Sequence, residues 1–449
     1  MRIKQISVSG LFGIFDHVIP LNIDERITII HGPNGFGKTA ILRILNSFFN
    51  SRYADLRAIS FRNFRVEFDD TTSVEIIKNA ENAEELEKND IVFKFYQPDS
   101  EPASFSLKPR KIRSDRGFPI MILDSGIQER HSPLKSMDIR AGETLFYGEA
   151  IEHFENFSSS NLKFQKEPDW LEQLKSNIHI RLIESQRLLN FVPNRSSTRS
   201  AETPSILSTV SAYSDELAKL MQDKFKEYGT ISQSLDRTFP IRVVKQQPST
   251  DLTDEQLRDQ LNELETTRSR LIEVGLLDKD EDAEFQIQPQ DIDESTKNAL
   301  SVYVQDVEKK LSVFAEIASK IDLLRKIINN KFAYSYKEIN FSKEKGFVVT
   351  TSYDSSLSNS KTLLPTDLSS GEQHELVLLY ELLFKVQPNS LVLIDEPELS
   401  LHVGWQVQFL KDLQDITQLA DLNILMATHS PDIIQDRWDL TVELKGPQK

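Results

Sequence analysis

A chain of 449 residues with 39% hydrophobic side chains is long enough for two or three domains and a large apolar core. It contains no cysteine, which excludes disulfides, thiol nucleophiles and Cys-based zinc sites together. A formal net charge of −16 argues against a surface coated with basic side chains for nucleic acid; with neither a long apolar run nor a cationic-then-apolar leader, the expected address is the cytoplasm.

Short alternating patterns at the start predict strands over Ile3 to Ser9, Phe15 to Leu21 and Arg26 to His31. The third runs into Gly32-Pro33-Asn34-Gly35-Phe36-Gly37-Lys38-Thr39, and an amphipathic pattern then predicts a helix from Gly37 to about Phe49. Strand, glycine-rich turn and helix in that order form a phosphate-binding loop. Glycines let successive N–H groups turn inward on an anion, and the helix adds its positive N-terminal end. Asn34, Gly35 and Gly37 belong to this backbone cradle for ATP, Lys38 reaches the β and γ phosphates, and Thr39 offers a hydroxyl to Mg²⁺.

Strands are also predicted over Arg65 to Phe68, Ser73 to Lys78 and Ile91 to Tyr96, giving a β-rich first lobe. The basic cluster Lys108, Arg110, Lys111, Arg113 and Arg116 has little aromatic interleaving, and with Pro109 and Gly117 in it we read a solvated loop. A strand over Ile178 to Ile183 leads into Glu184-Ser185-Gln186-Arg187, and the polar stretch from Asn194 to Thr203 reads as the exit from the core.

From Pro204 to about Phe332 the period becomes helical. Leu257, Leu261, Leu264 and Leu271 mark one segment, and Leu300, Val304, Val307, Leu311, Phe314, Ala318, Ile321 and Ile328 another, spaced as a heptad seam. Thr253 with Gln256 reads as a capping box. A single helix from Glu294 to Asn330 would span about 55 Å at 1.5 Å per residue. A helical bundle and a protruding antiparallel coiled coil fit this pattern equally. The acidic run Asp278 to Asp282 reads as solvated charge.

The last third returns to strands over Glu338 to Ser342 and Gly346 to Ser352. Leu368-Ser369-Ser370-Gly371-Glu372-Gln373 then opens a helix, exposing N–H donors that suit an anion, although alone it is also a simple N-cap. The apolar run Ser390 to Ile394 ends in Asp395-Glu396-Pro397, a Walker B pattern. Asp395 is placed to hold Mg²⁺, and Glu396 to orient and polarise the attacking water. Another buried strand, Asn423 to Ala427, ends in Thr428-His429-Ser430-Pro431, where His429 can donate to a γ-phosphate. His374, His402 and His429 lack the spacing of a zinc site. The first and last thirds must therefore fold onto one sheet, with residues 1–200 and 333–449 as the two parts of the nucleotide fold and 204–332 as its helical insert.

The P-loop, the Gln186 segment, Leu368 to Gln373, Leu391 to His402 and Ala427 to Pro431, in that order, resemble the ABC-type ATPase heads of the SMC, RecF and OLD group. The resemblance covers roughly the N-terminal two hundred residues and the C-terminal hundred and ten. It implies an α/β P-loop NTPase fold and a head-to-tail dimer, in which the P-loop of one copy faces the signature helix of another across ATP. By position it also implies that Gln186 senses Mg²⁺ and water, that Ser369 and Gly371 contact the γ-phosphate in trans, that Ser400 to His402 form the D-loop, and that His429 is the switch histidine. Ser370 stands where many relatives carry glycine, and the insert is far shorter than an SMC arm.

OLD-type relatives append a toprim nuclease, whereas this chain stops twenty residues past His429, so the expectation is an ATPase without nuclease activity. A stand-alone head with a short insert resembles the AriA ATPases of PARIS antiphage systems and, more distantly, the PtuA ATPases of Septu. That resemblance implies a homo-oligomeric scaffold that holds a separate effector nuclease and responds to a phage-encoded trigger. A RecF-like or SMC-like DNA repair ATPase is the alternative. DNA is thus a possible but disfavoured partner, and no membrane is expected.

Overall fold

The computed structural model describes residues 1–78, 91–107, 110–113, 119–123, 126–128, 136–137, 144–145, 167–184, 188–191, 206–245, 253–279, 294–352 and 362–447. The chain divides into two compact units. One contains residues 1–186, 193–205 and 386–449, and the other residues 187–192 and 206–385.

The first unit carries a five-stranded parallel sheet in the order Ile180–Ile183, Leu391–Asp395, Asn423–Ala427, Ile27–His31, Thr441–Glu443. Both ends of the sequence thus contribute to one sheet, as the motif order requires. Near-continuous burial of Ile27–Ile30, Leu391–Ile394 and Ile424–Ala427 is what a parallel sheet covered on both faces demands. Asp395 pairs with Ala427, and Ala427 with Ile30, so three strands end at one level and release their following loops side by side.

A six-stranded antiparallel sheet forms the β-rich lobe, in the order Phe15–Pro20, Ile3–Leu11, Asn63–Phe68, Ser73–Lys78, Ile91–Tyr96, Ala103–Leu107. Its strands alternate buried and partly exposed residues, most regularly over Asn63–Phe68. One core cluster joins this lobe to the helix Lys38–Phe49, which buries Ile41, Leu42, Ile44, Leu45 and Phe48 completely. The loop expected around the basic cluster needs correction: Arg110–Arg113 is a strand, paired antiparallel with Pro119–Leu123. Lys108 and Arg116 lie outside the described residues.

The second unit contains the helices Thr209–Lys245, Asp254–Glu273, Glu294–Ser312 and Ala315–Phe332. Thr253 and Gln256 form the expected capping box, each side chain accepting from the other's backbone N–H. The single helix expected from Glu294 to Asn330 is broken between Ser312 and Ala315. The apolar spacing runs through the break because Phe314 stays in the seam, fully buried, with its ring 5.3 Å from that of Tyr228. Lys337–Ser342 pairs with Gly346–Thr351 as a hairpin that packs on these helices, and the helix Ser370–Tyr380, continued by a π-helical turn over Glu381–Lys385, belongs to the same unit. Among the described residues no helix is long and apolar enough to cross a membrane.

Candidate nucleotide site

The loop between Ile27–His31 and Lys38–Phe49 owes its shape to glycine. Gly35 and Gly37 have φ of 83° and 92°, in the left-handed region that favours glycine. A Cβ on Gly37 would also lie 2.3 Å from a methyl of the buried Leu11, so a side chain there is strained by conformation and would force Leu11 to shift. Asn34 and Gly35 are exposed at the mouth.

Lys38 is 4% exposed, and its Nζ donates to the carbonyls of Gly32 at 2.8 Å and Pro33 at 3.2 Å. Burial holds its ammonium below the ordinary lysine range, against the opposing pull of Glu396, Glu398 and Asp395. It also lies 3.5 Å from Nδ1 of His429. The Thr39 hydroxyl donates to Oδ1 of Asp395 at 3.0 Å, across the neighbouring motifs. Burial pushes the Asp395 carboxyl above its usual range and the Thr39 bond draws it back. A desolvated carboxylate beside a hydroxyl is an oxygen donor set that suits a hard divalent cation, and a cation there would favour the ionised form. Thr39 and Asp395 therefore fit Mg²⁺.

Glu396 leaves the strand Leu391–Asp395 with φ 45° and ψ 59°, a left-handed conformation for a residue with a side chain. Such conformations cost of order 1–3 kcal/mol and persist where the surroundings enforce them. Here the Glu396 N–H donates to the carbonyl of Ala427 at 2.9 Å, which fixes the turn. The carboxylate stands 3.5 Å from Nε2 of His429 and is 29% exposed, within reach of water.

Glu398 escaped the sequence reading. Its carboxylate accepts from the Thr428 hydroxyl at 2.8 Å and from the His429 N–H at 2.6 Å, holding the loop after Asn423–Ala427 at both residues. The only sequence signal was a second acid two residues after Glu396. Ser430 adds another tie, donating to Oε1 of Gln406 at 2.6 Å.

Lys38, Thr39, Asp395, Glu396 and His429 are thus linked in one cluster of the first unit. Gln186 lies outside the described residues, as does the side chain of Ser400, while His402 caps the helix Val403–Ala420 by accepting from the Gly404 N–H at 3.2 Å. Ser369 and Gly371 belong to the second unit, at the start of the helix Ser370–Tyr380. Ser369 caps that helix in a reciprocal box with Glu372, and both Ser369 and Ser370 are exposed. Glu372 also accepts from Lys337 at 2.8 Å and Ser335 at 2.7 Å. Burial pushes its carboxyl up, but the bonds from Lys337, Ser335 and Ser369 outweigh it and hold it below the ordinary range.

No curated protein sequence matches the chain. Among solved structures it is similar to the Smc head domain of Pyrococcus furiosus with an extended coiled coil, bound to the C-terminal domain of ScpA, at 11% identity and a TM-score of 0.34, covering 99% of this chain and 94% of that one. It is similar also to the SMC head domain from Thermotoga maritima, at 9% identity and a TM-score of 0.32, covering 97% and 92%. A family model described as an AAA ATPase domain matches residues 1–434. That match spans both parts of the split nucleotide fold and the insert between them, and this chain belongs to the AAA ATPase domain family.

Proposed function

We propose that this chain is a Mg²⁺-dependent ATPase head that acts as a homo-oligomer, with each ATP held between the P-loop of one copy and the signature helix of another. The observation that carries the reading is the linkage of Lys38, Thr39, Asp395, Glu396 and His429 at the ends of parallel strands. Lys38 and the N–H groups of Asn34, Gly35 and Gly37 bind the phosphates. Thr39 and Asp395, with Gln186, would hold Mg²⁺, which would supply neutralisation of the charge that develops on the phosphates. Glu396 orients the attacking water and takes its proton, while His429 donates to the γ-phosphate and Glu398 keeps it in place. Ser369 and Gly371 of a second copy close the far side of the triphosphate. The exposure of Ser369 at a helix start, with Gly371 partly exposed behind it, supports this role.

Two variants test the shared site. Lys38→Ala and Ser369→Arg should each abolish phosphate release, and mixing the two proteins should restore a fraction of it. A mixture as inactive as its parts removes the two-copy arrangement.

The biological role rests on resemblance alone: a head with a short helical insert resembles the ATPases of antiphage systems. In this reading the oligomer is a cytoplasmic scaffold that holds a toprim-type effector nuclease and releases or activates it when a phage protein is sensed, and the head itself cuts no nucleic acid. Purification of the native chain should bring down that nuclease. Recovery of DNA in its place, with duplex-stimulated hydrolysis, would favour the RecF-like or SMC-like reading.

A further inference from the structure

The loop has a second support that no motif announces. His17, on the edge strand Phe15–Pro20, is 5% exposed, and its Nε2 lies 3.0 Å from the carbonyl oxygen of Phe36, between the two glycines with positive φ. A carbonyl only accepts, so Nε2 carries the proton. Burial lowers the affinity of the ring for a second proton, opposed by the Phe36 carbonyl and Asp16. The imidazole is fixed by its neighbours: the Phe15 ring stacks on it at 5.7 Å and 15°, and the Phe36 ring lies 5.0 Å from that of Phe15.

In a planar trans peptide the C=O and the following N–H point in opposite directions. Holding the Phe36 carbonyl toward the Phe15–Pro20 strand therefore turns the Gly37 N–H away from it. Without that bond the Phe36–Gly37 peptide, whose second residue is the N-cap glycine with φ 92°, loses a constraint on its rotation.

We propose that His17 is a positioning residue of the phosphate-binding loop, aiming the Gly37 N–H at the nucleotide phosphates by holding the Phe36 carbonyl. This rests on the nucleotide-site reading above. It deepens that reading by assigning part of the loop's preorganisation to a side chain of the antiparallel lobe.

The test is binding of a fluorescent N-methylanthraniloyl ATP to the full chain, with thermal unfolding measured alongside. His17→Phe keeps the ring stack and removes the donor, and its dissociation constant should rise roughly tenfold, the scale of one lost hydrogen bond. His17→Gln restores a donor of similar reach and should recover most of that loss. His17→Asn carries the same amide one bond shorter and should not, which keeps the comparison decisive if His17→Phe fails to fold. A rescue by glutamine alone is a signature that general destabilisation does not produce. Wild-type affinity in His17→Phe, or equal affinity in the asparagine and glutamine variants, overturns the assignment when Lys38→Ala has lost binding. If Lys38→Ala binds as wild type does, the nucleotide-site reading itself falls.

Discussion

Two glutamates, one in each unit, are held in opposite ways. Glu396 sits at a strand end in a left-handed backbone conformation, partly open to water, with His429 3.5 Å away. Glu375, in the middle of the helix Ser370–Tyr380, is fully buried and paired with Lys331, itself 1% exposed, from the helix Ala315–Phe332. In the first case the backbone carries the positional constraint and the carboxylate stays accessible. In the second a charge partner carries it and the carboxylate is withdrawn from solvent. The contrast predicts that substitution of Glu396 acts on rate, whereas loss of the buried Lys331–Glu375 pair acts on stability.

Breaking the buried pair has the largest expected effect on that comparison. Lys331→Met leaves Glu375 buried without its cation and should destabilise the second unit by about 3–5 kcal/mol in urea unfolding, whereas adding Glu375→Leu should recover most of the loss. Little change in Lys331→Met would mean that the pair does not anchor the helix Ser370–Tyr380. Next, Glu396→Gln should bind ATP normally and slow phosphate release by a factor on the order of 10² to 10³, with its unfolding midpoint unaltered. Turnover equal to wild type would remove Glu396 as the base. Glu398→Gln weakens the hold on the His429 loop without touching the water, and a drop of about tenfold in kcat is expected, the scale of one charge-assisted hydrogen bond.

The smallest effect separates the regions by pH. The Glu372 carboxyl is held below its ordinary range, so its ionised form stabilises the fold above the unfolded value near 4.3, and that contribution is lost as pH falls through the lower folded value. Glu372→Gln should flatten this acid limb in urea titrations between neutral pH and about pH 3. An acid limb identical to wild type would show that the Lys337 and Ser335 contacts add nothing.

What the sequence made legible follows from the range of each interaction. The P-loop and the strand bearing Asp395 are contiguous signals, in which apolar runs end at residues of distinctive chemistry, and the strands Ser73–Lys78 and Ile91–Tyr96 match their expected limits. The break after Ser312 was hidden because Leu311, Phe314 and Ala318 keep helical spacing across it, so periodicity registers burial and not continuity. Glu398 and His17 were invisible for a different reason. Each acts through a main-chain atom, the His429 N–H and the Phe36 carbonyl, and such partners leave no mark on residue type or spacing.

The order of strands in the parallel sheet also constrains biosynthesis. Ile27–His31 sits between Asn423–Ala427 and Thr441–Glu443, so Ile27 emerges from the ribosome long before its ladder partner Ile424 is translated. At about 5–20 residues per second that delay is roughly 20 to 80 s, during which an apolar strand lacks both of its flanking neighbours. Nascent fragments should consequently be unable to retain nucleotide, and they present a sticky edge that chaperones would need to shield until residues 423–443 have been translated.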